Sequence, residues 1–124
     1  MEEMIRRFFQ LGDIYQRFVD IRMRKDPERK RDLVIARRHL SEDLGALESY
    51  VRENHGMIAD AAIEQDFRKR LSRLRSAIAY HQASWPAVRI DEDPGGYRLT
   101  SIEFSDVFRE FLEWGKRNFM VSQG

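Results

Sequence analysis

Apolar residues recur at alternating spacings of three and four along most of this 124-residue chain. The first segment shows the pattern in Met4, Phe8, Leu11, Tyr15 and Phe18, with Ile14 and Ile21 beside them. Because an α-helix turns once in 3.6 residues, this spacing places the apolar side chains on one face. The pattern predicts a helix from about Glu2 to Arg24. Such a face must be buried against other helices, so we expect an all-α fold.

Only three prolines occur, and each is expected to mark the boundary of an element, since proline disfavours helix at the residue before it. Asp26 is predicted to cap a second helix, with Pro27 at its favoured first position. This helix should end near His55-Gly56, where glycine can adopt the left-handed conformation that often ends a helix. Its predicted core face consists of Leu33, Ala36, Leu40, Leu44, Leu47 and Val51.

The third predicted helix runs from about Ala59 to Ser84 and stops before Pro86. Its core face consists of Ile63, Phe67, Leu71, Leu74, Ile78 and Trp85. A fourth helix is predicted from residues 100–103, Thr-Ser-Ile-Glu, because this sequence matches a capping box. It should extend to about Met120, with a core face of Phe104, Val107, Phe108, Phe111, Leu112 and Phe119.

The segment 87–99 has a different pattern. Val88, Ile90, Tyr97 and Leu99 alternate with polar residues on either side of the turn sequence Asp-Pro-Gly-Gly at 93–96. This alternation fits a short β-hairpin or a plain ordered loop. We therefore predict one domain over residues 1–124, an antiparallel up-down four-helix bundle with a hairpin or loop before its last helix.

Composition excludes several kinds of chemistry. The chain has no cysteine, so it has no disulfide, thiolate metal site or cysteine nucleophile. His39, His55 and His81 lie in different predicted elements, which disfavours a shared metal site. There is no glycine-rich phosphate loop and no Gly-x-Ser-x-Gly nucleophile motif. We expect neither a metal nor a cofactor. The sequence shows no signal peptide and no apolar run of about 20 residues, so we expect a cytoplasmic protein without a membrane segment.

Charge is balanced over the whole chain but clustered locally. The net charge of +1, from 22 basic and 21 acidic residues, is unlike that of a strongly basic nucleic-acid-binding domain. Residues 22–31 nevertheless hold six basic residues against Asp26 and Glu28. They fit either a solvated turn between helices or a patch that faces phosphate. An antiparallel bundle would place this cluster at the same end as the 85–100 connection.

His39 lies in the middle of the second predicted helix, off its core face. An exposed histidine midway along a bundle helix is also found in histidine phosphotransfer domains. Those domains usually carry a lysine three residues later, and this chain has Glu42 there, where a carboxylate would repel a phosphoryl group. A surface histidine is the simpler interpretation.

Arg75 and His81 are the residues best suited to chemistry. Histidine is the natural general acid or base near neutral pH, and arginine binds phosphate through two parallel hydrogen bonds. Together they could cleave RNA without a metal: His81 would take the 2′-hydroxyl proton while Arg75 stabilised charge on the phosphorus centre. Six residues place the two side chains about 120° apart on an ideal helix. They would therefore flank a groove.

The stretch Leu74-Arg75-Ser76-Ala77-Ile78-Ala79-Tyr80-His81 resembles the Arg-x4–6-His segment of HEPN domains, which are α-helical bundles of similar length. Ser76 stands where asparagine is common in that family, and Tyr80 where the histidine stands in its tightest version. The resemblance implies a metal-independent endoribonuclease of toxin or defence type. It also implies a homodimer whose two Arg75–His81 pairs line a shared cleft, and an antitoxin or nucleotidyltransferase partner.

The same residues fit a structural explanation. His81 lies at the edge of the core face of the third helix and Arg75 lies on a flank. A core-edge histidine and a surface arginine explain both without catalysis. The alternative function is a non-catalytic helical bundle that mediates protein–protein interaction or self-assembly. Ile5 and Phe9, which fall off the first core face, are candidates for its contact surface.

Overall fold

The computed structural model describes residues 2–54 and 56–120, and within them the chain is almost entirely helical. The long helices are α1 (Glu2–Met23), α2 (Arg29–Glu53), α3 (Ala61–Ser84) and α4 (Pro94–Gly115). A 3-10 turn, Ala87–Arg89, precedes α4, and a π-helical turn, Lys116–Met120, continues it. The described residues contain no strand, which confirms the all-α prediction. No helix among them is long and apolar enough to cross a membrane.

The predicted core faces form one continuous core. In α1 and α2 every residue predicted for the core face is buried except Tyr15, which is half-buried against the core. The faces of α3 and α4 are buried at their centres and half-buried at Ile63, Ile78, Trp85, Val107 and Leu112. Aromatic rings fill most of the space between α1 and α4. Phe8 stacks on Phe111 with ring centroids 5.4 Å apart, and Phe18 meets Phe104 edge-on at 5.2 Å.

Helix α1 is the centre of the packing. It lies along both α2 and α4, and α3 packs mainly on α4. The order of the contacts shows how α1 and α4 run: Phe8, near the start of α1, meets Phe111, whereas Phe18, near its end, meets Phe104. These two helices are therefore antiparallel. Within the described residues, α2 and α3 have no comparable close approach of their backbones.

The segment 87–99 forms neither the short hairpin nor the plain loop that its sequence pattern allowed. It holds the 3-10 turn and the first turns of α4, which begins at Pro94. The Asp93 side chain accepts a hydrogen bond from the backbone N–H of Gly96, and Pro94 stands in the first turn, where its missing N–H costs nothing. The predicted capping box at Thr100 is wrong for the same reason. Thr100 lies inside α4, and its hydroxyl bonds back to the carbonyls of Gly96 and Tyr97.

The turn before α2 also differs from the prediction. Pro27 lies in a turn, and Glu28 precedes α2 without forming a side-chain cap. The Asp26 carboxylate binds Arg24 instead of capping the helix, because an arginine two residues away offers a stronger, charge-assisted partner. At its other end α2 stops at Glu53, and Gly56 has a φ of 90°, as the predicted glycine terminus requires. His55, assigned to that terminus, lies outside the described residues.

Candidate functional site

His81 lies inside the core, between α3 and α4. Its side chain is 3% exposed, and its ring lies parallel to that of Phe104 and stacks on Tyr97. The imidazole Nδ1 has no hydrogen-bond partner among the described residues. Burial, together with the charge of Arg37, lowers the pKa of His81 to about 4. The ring is therefore neutral at physiological pH and surrounded by aromatic side chains.

Arg75 lies on the surface, on the side of α3 that faces α2. Its side chain is 42% exposed, and its Nη2 lies 3.4 Å from the Glu48 carboxylate of α2. His81 does not line this surface. With a 100° turn per residue, the two side chains lie about 120° apart around α3, so one faces solvent and the other faces α4. Within one chain the structure thus does not bring the two predicted catalytic residues into one site. The catalytic roles of Arg75 and His81 stay predictions.

A groove of about 500 Å³ runs between α2 and α3, and Arg75 forms part of its rim. Three apolar side chains, Val51, Phe67 and Leu71, form its floor, and Ala79 adds to its wall. The small side chains of Ser72 and Ser76 line the α3 side of the groove and leave it unobstructed. The groove lies where the backbones of α2 and α3 do not approach each other closely, and its floor belongs to the core: Phe67 is 1%, Leu71 3% and Val51 5% exposed.

The rim of this groove is mainly positive. Arg52, Arg68 and Arg75 line it, with Glu48 as the single carboxylate among the described lining residues. Arg68 is 64% exposed and pairs with Glu64 at 3.2 Å, one turn earlier on α3. Exposed ion pairs of this kind are weak and exchange readily with another acidic partner. The rim can therefore bind carboxylates that a ligand brings.

A second cavity, of about 720 Å³, lies where the turn between α1 and α2 meets the start of α4. Cationic side chains dominate its lining: Arg22, Arg24, Lys25, Arg29 and Arg98, beside Asp91. The buried Arg29 connects the two segments, since its Nη2 lies 2.7 Å from the Asp91 carboxylate and its guanidinium covers the Tyr97 ring. The basic cluster thus lies beside the 85–100 connection, as the antiparallel arrangement predicted.

His39 is half-buried rather than exposed. Its Nδ1 lies 2.9 Å from the Nη2 of Arg17 on α1. Glu42, three residues later, is exposed and lies 3.9 Å from Arg38. Nothing in this arrangement replaces the lysine of a phosphotransfer site.

The sequence did contain signals for residues that were not singled out. Arg68 was not singled out, but it lies seven residues before Arg75 and so on the same face of a helix, and this spacing could have indicated the rim. Arg29 lies four residues before Leu33 and continues the core face of α2, which could have indicated its burial. The groove itself depends on the distance between two helices, for which no local pattern exists.

Comparisons with known proteins found no family model, no curated protein and no solved structure that matches this chain.

Proposed function

We propose that this chain is an antiparallel up-down four-helix bundle that acts as a non-catalytic binding module. Its ligand is an acidic, amphipathic helix of a partner protein, which lies in the groove between α2 and α3. The observation that carries the proposal is the groove itself, with an apolar floor and three arginines on its rim.

The shape of the groove favours a helix as the ligand. Helices pack at interaxial distances of about 8–10 Å, and two helices that do not approach each other closely leave a trough that a third can fill. Helix-in-groove recognition places apolar residues at positions i, i+3, i+4 and i+7 on the floor. Val51, Phe67 and Leu71, each at most 5% exposed, and the exposed Ala79 supply the apolar part of the lining.

The charge of the rim favours an acidic ligand. Arg52, Arg68 and Arg75 outnumber Glu48, so glutamates on the flanks of the incoming helix would find partners on both sides of the groove. Complementary charge of this kind raises the association rate and selects against basic helices.

The environment of His81 supports a structural role rather than catalysis. A general base must reach the proton that it removes and have a pKa near the working pH. The His81 imidazole is enclosed by Tyr97 and Phe104, and its pKa is about 4.

A synthetic helix tests the proposal. The probe carries leucines at i, i+3, i+4 and i+7 with glutamates on both flanks, and a second peptide has lysines in place of the glutamates. Fluorescence anisotropy should show binding of the acidic peptide with a Kd on the order of 10 μM, and binding of the basic peptide at least about tenfold weaker. Equal binding of both peptides, or of neither, contradicts the proposal.

Charge reversal locates the binding. The double variant Arg68→Glu/Arg75→Glu should weaken binding of the acidic peptide about tenfold or more. The matched control is Arg73→Glu/Arg109→Glu, which changes net charge equally at exposed positions that do not line the groove. If the control weakens binding as much as the rim variant, the groove is not the site. A further variant, Ser76→Trp, should block the groove, whereas Gln65→Trp should not.

An RNA-acting function of the HEPN type is the second candidate, and the exposure of Arg75 supports it. We propose in that case a homodimer in which Arg75 of each chain contacts RNA and a rearrangement of α3 exposes His81. Purified protein incubated with RNA, with Arg75→Ala and His81→Ala as variants, tests this function. Intact RNA after incubation with a wild-type dimer would rule out this function.

Light scattering of the wild type and Phe9→Ser tests self-association, because Phe9 is 64% exposed and its replacement leaves the core intact.

A further inference from the structure

The cavity beside the α1–α2 turn contains more positive charge than the surrounding carboxylates neutralise. Arg24 binds Asp26 and Asp32. Arg29 and Lys30 share Asp91. Three cations thus match three carboxylates in this network. The charges of Arg22, Lys25 and Arg98, which also line the cavity, are left over.

These three side chains have no carboxylate partner among the described residues. Arg22 donates only to the Ser105 hydroxyl, at 3.2 Å. Lys25 and Arg98 are exposed and make no hydrogen bond or ion pair within the part of the chain that the structure describes. Three like charges around one cavity repel each other, and the free energy of the folded chain falls when an anion binds between them.

The ion-pair network holds the cavity in a fixed shape. Arg29 is 4% exposed and donates to the backbone carbonyl of Arg24 at 2.8 Å as well as to Asp91. It thereby fixes the turn after α1 against the segment before α4. The unpaired cations lie on both sides of the contact between the α1–α2 turn and α4. Arg22 and Lys25 belong to the end of α1 and the turn after it, and Arg98 belongs to α4. The backbone positions of these cations are thus preorganised for a ligand, and binding orders only their side chains.

We infer that this cavity binds a phosphate group carried on a small organic molecule. Arginine and lysine are the side chains that bind phosphate most strongly, through charge-assisted hydrogen bonds. The volume of about 720 Å³ exceeds that of a phosphate ion and lies in the range of pockets for small molecules. Met23 and Pro94 line the same cavity and offer apolar contact to the rest of the ligand.

A titration followed by NMR tests this inference with four probes: inorganic phosphate, a 5′-mononucleotide, the same nucleoside without phosphate, and a short single-stranded RNA. The 5′-mononucleotide should bind with a Kd below about 1 mM and shift the amide signals of Lys25, Gly95 and Arg98. Inorganic phosphate should bind more weakly at the same place, and the nucleoside should not bind. RNA binding about tenfold or more tighter than the mononucleotide would overturn the small-molecule ligand, because the phosphate would then come from a polynucleotide. Absence of binding by all phosphate-bearing probes overturns the inference.

A double variant tests whether Lys25 and Arg98 bind the phosphate. Lys25→Gln/Arg98→Gln should weaken mononucleotide binding about tenfold or more, because each removes a charged donor from the cavity. Both residues are exposed and unpaired, so the fold should be retained, which circular dichroism checks. The matched control is Arg73→Gln/Arg89→Gln, which removes two exposed arginines that do not line the cavity. Equal weakening by the control would show a general effect of net charge and overturn the inference.

Discussion

The imidazole of His81 lies parallel to the ring of Phe104, with 4° between the planes and 5.2 Å between the centroids. Tyr97 lies 5.9 Å from the same imidazole. His81 therefore packs as an aromatic side chain of the core. A protonated imidazole would lack a carboxylate partner here and would meet the positive charge of Arg37.

The first prediction follows from the lowered pKa of His81. Its folded value is about 4 and the ordinary value is 6.5. Between these pH values the unfolded chain binds a proton that the folded chain does not, so the free energy of unfolding falls as pH falls from 6.5 towards 4 and is fully restored above 6.5. The loss attributable to His81 should be about 3 kcal/mol. Urea denaturation at about pH 7.5 and pH 4.5 measures it.

The variant His81→Phe isolates this contribution. It should remove most of the difference between the two pH values, since phenylalanine fills the same aromatic position without titrating. The control is Gln65→Ala at an exposed position of α3, which changes no titratable group and should keep the pH dependence of the wild type. An unchanged pH dependence in His81→Phe would contradict the assignment.

The second prediction concerns Trp114 and Asp66, whose side chains join α4 to α3. The indole Nε1 donates to Asp66 Oδ2 at 2.7 Å, and the Arg70 guanidinium lies 5.7 Å from the Trp114 ring. Asp66→Ala leaves the buried indole N–H without its acceptor and should reduce the free energy of unfolding by about 1–3 kcal/mol. Asp13→Ala, at an exposed position of α1, should change it by less than about 0.5 kcal/mol. Thermal unfolding followed by tryptophan fluorescence compares them, and equal effects would count against the role of this hydrogen bond.

The third prediction uses two glycines inside helices. At Gly115 an added Cβ would overlap the ring of Phe8, whereas at Gly45 it would meet nothing within 4 Å. Gly45→Ala should therefore stabilise the protein by about 0.4–1 kcal/mol, because alanine reduces the entropy of the unfolded chain. Gly115→Ala should destabilise it by about 1–3 kcal/mol through overpacking. Chemical denaturation of both variants checks the signs, and stabilisation by Gly115→Ala would show that the Phe8 ring can move aside freely.

The fourth prediction concerns Arg29, which is 4% exposed and fixes the α1–α2 turn to the start of α4 through Asp91. Arg29→Ala should reduce the free energy of unfolding by about 1–3 kcal/mol, because it removes the hydrogen bond to the Arg24 carbonyl and the packing on Tyr97. The comparison is Arg31→Ala, at an exposed position in the first turn of α2. That variant should stay within about 0.5 kcal/mol of the wild type. Guanidinium denaturation measures both, and similar values for the two would refute the structural role of Arg29.

The fold was largely predictable because the core face of each helix can be recognised from the spacing of apolar residues within that helix alone. The spacing of Leu33, Leu40 and Leu47 fixes which side of α2 is buried without knowledge of its neighbours. The start of α4 was not predictable in the same way. Asp-Pro-Gly-Gly fits a turn and a helix start equally well, and the choice depends on the burial of Tyr97 against the rest of the core.

The candidate sites were less predictable than the fold. Arg75 and His81 were identified as a pair from a short sequence pattern, and the structure places them in different surroundings. The positions of their side chains depend on which face of α3 meets α4, a property of the assembled bundle. Only part of the cationic cavity could be predicted. The basic cluster at 22–31 is a local feature of the sequence, whereas Arg98 is distant in sequence and joins the cluster only in the folded chain.

The central position of α1 has a consequence for synthesis of the chain on the ribosome. Helix α1 packs on α2 and on α4, and α4 begins about ninety residues after the start of α1. Helix α3 also packs mainly on α4. The first three helices to emerge therefore present an apolar α1 flank and an undocked α3 while translation continues. Closure of the core must wait for α4, and contacts between segments so far apart in sequence form slowly. A chain truncated before α4 should accumulate as an aggregation-prone intermediate rather than as a smaller folded domain.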